Sequence, residues 1–166
     1  TPPEIALHAL SALALGDATT ADALLVHLRS LRATGQWSSR LQDLFDAAVV
    51  RRGRYPDQPM PPELPGALRA MRDPERRDRL SIDVTMHVMV DLADLDAREG
   101  RTEEAVAELE RARALAELYG YPDLALACLV QLAGVATTVD GIGAARPYAA
   151  TAVERAVAAD RAGSLV

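Results

Sequence analysis

Asp83, His87, Asp91 and Asp94 stand at i, i+4, i+8 and i+11, one stripe of a helix. Carboxylates and an imidazole at that spacing are donors a divalent cation uses. One helix closes only one side of a coordination sphere, however, and no second His or Cys cluster follows; His8 and His27 stand apart. The stripe therefore reads as an acidic, solvent-facing surface carrying one histidine, with no metal.

A second cluster is basic. Arg69, Arg72, Arg76, Arg77 and Arg79 are interleaved with Asp73, Glu75 and Asp78, so local salt bridges are the expectation. Aromatic residues that could stack bases are missing beside them. Gly141-Ile142-Gly143 has the opening of a dinucleotide loop, but it follows a helical pattern, and Arg146 stands where the third small residue belongs. It reads as a turn. Cys128 lies in an apolar run with no nearby cation to lower its pKa, which makes it a small core residue. No Ser/His/Asp order, facing carboxylate pair or phosphate loop occurs. The sequence thus carries no catalytic constellation and calls for no cofactor, and the chain is not read as an enzyme.

The elements that hold these residues are helical. The 166 residues are 49% hydrophobic but only 4% aromatic. Alanine, the best helix former, supplies much of the apolar count, and no alternating strand pattern is present. Lysine and asparagine are absent and all 18 basic residues are arginine, which points to the codon bias of a GC-rich, bacterial genome. Net charge is −6: residues 1–80 hold 11 Arg against 10 acids, and residues 81–166 hold 7 Arg against 14. An acidic second half argues against nucleic-acid binding. A single cysteine excludes an internal disulfide and fits a cytoplasmic protein. The chain opens on Thr1-Pro2-Pro3 without an initiator Met and ends at Ser164-Leu165-Val166, so it reads as part of a longer protein.

In chain order, Pro2-Pro3-Glu4 starts a helix that Gly16-Asp17 ends. A second runs from about Thr20 to Ala33, with Leu24, Leu25, Leu28 and Leu31 on one face. Trp37 opens a third. The proline-rich stretch from Arg51 to Pro65 interrupts the helices, and a short helix follows over Leu64–Met71. Asp73-Pro74-Glu75 caps a helix expected to continue to Glu99. Thr102 caps the next, as far as Tyr119. The helix over Leu124–Val139 has no charged residue, which predicts burial on more than one side. Its roughly 16 uncharged residues fall short of the approximately 20 that a membrane span needs. The last helix spans Ile142 to about Arg161, and Pro147 must sit in its first turn or kink it.

A repeat of about forty residues runs through the second half. Val90, Leu92-Ala93, Ala105 and Ala112 recur as Val130, Leu132-Ala133, Ala145 and Ala152, a period typical of stacked helical hairpins. With Gly100 and Leu109, and with Gly35, Trp37, Leu44 and Ala47 in an earlier hairpin, this pattern resembles tetratricopeptide repeats. The similarity covers residues 20–52 and 85–155. Arg40 departs from the pattern where an alanine belongs, Asp140 stands in place of the turn glycine, and the spacing exceeds the family's usual repeat of about 34. Such repeats look like those of bacterial transcriptional and signalling regulators.

The resemblance implies one all-α domain over 1–166. In it, antiparallel hairpins over 20–52, 75–120 and 122–161 stack as a short right-handed superhelix of seven or eight helices, with the interruption at 53–66. It also implies that the first helix of each pair lines a concave groove. Asp22, Leu25, Arg29 and Arg32 would contribute from the first hairpin. His87, Val90, Asp94 and Arg98 would come from the next, and Ala127, Val130, Gly134, Thr137 and Thr138 from the last. Arg29, Arg32 and Arg98 would pair carboxylates, Asp94 a cation, and the small residues near Val130 and Gly134 would admit a side chain. The expected partner is a peptide or protein segment. A small effector in the same groove and self-association into a homodimer through an end helix are the alternatives. Neither a nucleic acid nor a membrane is expected as a partner.

Overall fold

The computed structural model describes residues 1–35, 37–55 and 59–163, with side chains of the last helix as far as 159. Among the described residues every regular element is a helix, with no strand. Among the described residues nine helices follow one another: α1 (Pro2–Ala14), α2 (Ala18–Arg32), α3 (Ser39–Arg52), α4 (Leu64–Met71), α5 (Pro74–Arg77), α6 (Ile82–Arg98), α7 (Thr102–Tyr119), α8 (Pro122–Asp140) and α9 (Ile142–Gly163). The chain divides into two compact units, Thr1–Asp91 and Leu92–Val166. The division falls within α6, not at the proline-rich stretch.

Several boundaries differ from the sequence-based expectation. The helix expected to continue from Asp73 to Glu99 is broken. Asp73 does cap α5, accepting from the Glu75 amide at 3.0 Å. The Arg77 carbonyl then accepts from the Leu80 amide and the Thr85 hydroxyl, both at 2.9 Å. With those donors satisfying it, the chain turns, and α6 restarts after Ser81. Trp37 does not open α3; Ser38 is the cap, its hydroxyl accepting from the Leu41 amide at 3.1 Å. Thr102 is the first helical residue of α7, preceded by Arg101 at the cap. Pro147 lies in the second turn of α9, so the Gly143 carbonyl lacks its helical donor.

The first unit is built around α3. Leu41, Leu44, Phe45, Ala47, Ala48, Val49 and Val50 are all buried along it. α1 packs on α2 and α3, and α4 packs on α3. Gly53 ends α3 where the chain packs tightly: a Cβ there would lie 3.0 Å from the Leu64 Cδ1 and 3.1 Å from the Val50 carbonyl oxygen. The Tyr55 hydroxyl donates to the Leu13 carbonyl at 2.6 Å, fixing the start of the proline-rich stretch against α1.

The second unit uses small residues at helical spacing. Ala105, Leu109, Ala112 and Ala116 are the buried stripe of α7; Ala125, Cys128, Leu129, Leu132 and Ala136 are that of α8. α8 packs on both α7 and α9. Gly100 and Gly141 turn the chain with the same left-handed φ of 78°. The second repeat therefore keeps its turn glycine, one residue after Asp140, because only a residue without a Cβ adopts that backbone at little cost.

Candidate functional site

The second unit holds an open recess of about 420 Å³. α6 supplies Ala93, Asp94, Ala97 and Arg98; α7 supplies Leu109; α8 supplies Gln131, Gly134, Val135 and Thr138. The helical repeat brings these together: Asp94 and Arg98 are one turn apart on α6, as are Gln131, Gly134 and Thr138 on α8. Leu109 and Ala93 are buried and form the floor. A Cβ added at Gly134 would meet nothing within 4 Å, so this side of the recess is open because the residue has no side chain. One edge is charged: Arg98 Nη2 lies 2.6 Å from Asp94 Oδ2. The chemistry available is that of a binding cleft, with apolar floor, polar amide and an ion pair at the rim.

The groove residues inferred from the repeat fare unequally. Asp94, Arg98, Gly134 and Thr138 line the recess. Asp94 and Arg98 pair with each other, contrary to the expectation that each would capture a separate ligand charge. Ala127, Val130 and Thr137 are exposed on α8 but lie outside the recess; Val130 is 58% exposed. Val90 is a correction. It is 3% exposed and belongs to the core, because α6 is covered around most of its circumference, with Met86, Val88, Met89 and Leu92 buried as well.

In the first unit, Leu25 is likewise core. Arg29 is committed to Glu63 in a fork of two hydrogen bonds, 2.6 and 2.8 Å. The bond from Arg29 holds the Glu63 carboxyl below its ordinary range. Asp22 is held by Arg52. Arg32 lies over the Trp37 ring, 5.7 Å from its centroid. His87 lines a smaller cavity of about 140 Å³ with Leu7, Ser11, Arg51 and Asp83, its Nδ1 2.7 Å from the Asp83 carbonyl oxygen. Asp91, from the same stripe, is buried and paired with Arg54 at 2.8 Å. Among the described residues no three metal-ligating side chains converge.

The basic cluster also differs from expectation. Two of its members pair over a distance: Arg76 and Arg79 reach Asp43 on α3, at 2.6 and 2.7 Å, and Arg76 also reaches Asp46 at 2.8 Å. Burial alone would raise the Asp43 carboxyl, but the bonds from Arg79 and Arg76 outweigh it and hold it below the ordinary value. For Asp46 burial prevails and the carboxyl is pushed up. No sequence signal marked Asp43 and Asp46, because their arginine partners lie thirty or more residues away.

The uncharged α8 is less covered than its composition predicts. Val130 and Val139 are both more than half exposed. Among the described residues α8 is the one helix long and apolar enough to cross a membrane by length and composition, with Asp123 and Asp140 at its ends. Cys128 is buried, and burial pushes its thiol up to about 11, so it has little thiolate at neutral pH. Comparison of the chain with family models, curated proteins and solved structures gives no match in any of the three.

Proposed function

We propose that the chain is a tetratricopeptide-like, non-catalytic binding module of a cytoplasmic bacterial regulator, which docks a segment of another protein in the recess between α6, α7 and α8. The observation that carries this reading is the open space over Gly134, set between an apolar floor and the Asp94–Arg98 pair. An apolar side chain of the partner would enter at Gly134, while flanking polar groups meet Gln131 and the ion pair. The openness of the recess favours a peptide over a small effector, which would need enclosure to bury most of its surface. Self-association is the second reading, supported by Val153 and Val157, exposed one turn apart on α9.

The test is selection of a displayed peptide library on the whole chain, followed by affinity measurement with the selected peptides. Gly134→Trp fills the space and should abolish binding with helicity intact. Val130→Asp, outside the recess, should leave it. Peptides that still bind Gly134→Trp, or are lost with Val130→Asp alone, would place docking elsewhere on α8. A concentration-dependent dimer lost with Val153→Asp supports the second reading instead.

A further inference from the structure

A different recess, of about 460 Å³, opens in the first unit. Arg32 at the end of α2, Arg69 on α4 and Arg76 on α5 line it. Arg76 is committed to Asp43 and Asp46. Arg32 and Arg69 are not: among the described residues neither has a carboxylate at ion-pair distance. The two acids in the wall are already engaged, Glu63 by the Arg29 fork and Asp46 by Arg76 and Gln42. Pro62 and Pro65 give the wall an exposed apolar surface, with Phe45 buried behind it.

Two guanidinium groups outside any ion pair, opening into a recess of ligand size, make an anion site, although the Arg32 charge also acts at longer range on Glu63. We propose that this recess binds a small phosphorylated ligand, its phosphate held by Arg32 and Arg69 and its body against Pro62 and Pro65. A phosphate monoester has three free oxygens and can accept from two forks at once, whereas a carboxylate is satisfied by one. This inference concerns a separate site and stands independently of peptide docking in the second unit.

Trp37 is the protein's one tryptophan, and Arg32 lies over its ring, so intrinsic fluorescence reports directly on the site. The experiment is titration of the whole chain with glycerol phosphate at constant ionic strength, with phosphorus NMR line broadening as a second readout. A saturable fluorescence change is expected. Arg69→Gln should weaken it at least about tenfold, as loss of a charge-assisted hydrogen bond does. Arg69 is exposed, and its variant should keep the wild-type far-UV spectrum. Arg72→Gln, outside the recess, should titrate as the wild type. No saturable change with no line broadening, an equal response to succinate or sodium chloride, or an unchanged affinity in Arg69→Gln would overturn the proposal.

Discussion

Arg52 grips Asp22 fork to fork: Nε lies 2.7 Å from Oδ1 and Nη2 3.0 Å from Oδ2. The Arg52 side chain is 1% exposed, and its Nη1 also donates to the Tyr55 carbonyl at 3.1 Å. One guanidinium thus joins α2, the end of α3 and the start of the proline-rich stretch. Arg52→Ala should cost about 3 kcal/mol, since it deletes a buried charged partner and leaves a void. Asp22→Ala should cost less, about 2 kcal/mol, because Asp22 is partly solvated and Arg52 keeps its carbonyl contact. Arg52→Lys cannot form the fork and should fall between wild type and alanine. Urea unfolding gives the order.

Asp43 is fully buried and receives both Arg76 and Arg79. Asp43→Ala removes the buried acceptor that Arg76 and Arg79 share and leaves a void, and a loss of about 2–3 kcal/mol is expected. Arg79 is half exposed and can return to water, so Arg79→Ala should cost under about 1 kcal/mol. Thermal denaturation that ranks Arg79→Ala equal to Asp43→Ala would refute this asymmetry.

Gly134 separates packing from binding. Its position is helical, and a methyl group there meets nothing, so Gly134→Ala should stabilise the protein by about 0.5–1 kcal/mol through helix propensity. A destabilised Gly134→Ala variant would show that the space is filled in solution.

Asp91 predicts a pH dependence. Burial, opposed by Arg51, Arg54 and His87, pushes its carboxyl above the ordinary value, and among the described residues Oδ2 has no hydrogen-bond partner. The folded chain therefore binds the proton at higher pH than the unfolded chain does. Its contribution is fully present below the unfolded pKa of about 3.9 and is lost as pH rises through the folded value. The stability of wild type relative to Asp91→Asn should thus increase as pH falls from neutral into the acid range. Denaturant midpoints of both proteins from pH 7 to pH 4 measure it, and a flat difference would refute the shift.

Cys128 should resist thiol reagents in the native protein, because burial raises its pKa to about 11. Labelling by a water-soluble disulfide reagent at pH 8 should track unfolding in urea. Rapid labelling without denaturant would show that α8 opens locally.

Local chemistry determined the helices from sequence alone. Proline and aspartate starts, glycine stops and alanine-rich apolar stripes act within a few residues of one another, so their effects are readable in order. The repeat carried further, placing Leu92, Ala93, Ala105, Leu109, Leu132 and Ala152 in the core, because each is fixed by its own helix's periodicity. The break between α5 and α6 was not legible: it depends on the Thr85 hydroxyl reaching back eight residues to the Arg77 carbonyl.

The site divides in the same way. Asp94, Arg98, Gly134 and Thr138 were found because the repeat register fixes which side of a helix each occupies. Arg29 was assigned to a ligand and is instead bound to Glu63, thirty-four residues away. Sequence spacing shows that an arginine exists and which way its helix turns, but not which distant carboxylate it meets. In a chain whose 18 cations are all arginine, that pairing decides which charges remain for a ligand. Only the tertiary structure assigns it, because a long guanidinium side chain finds its partner through space after the helices have packed.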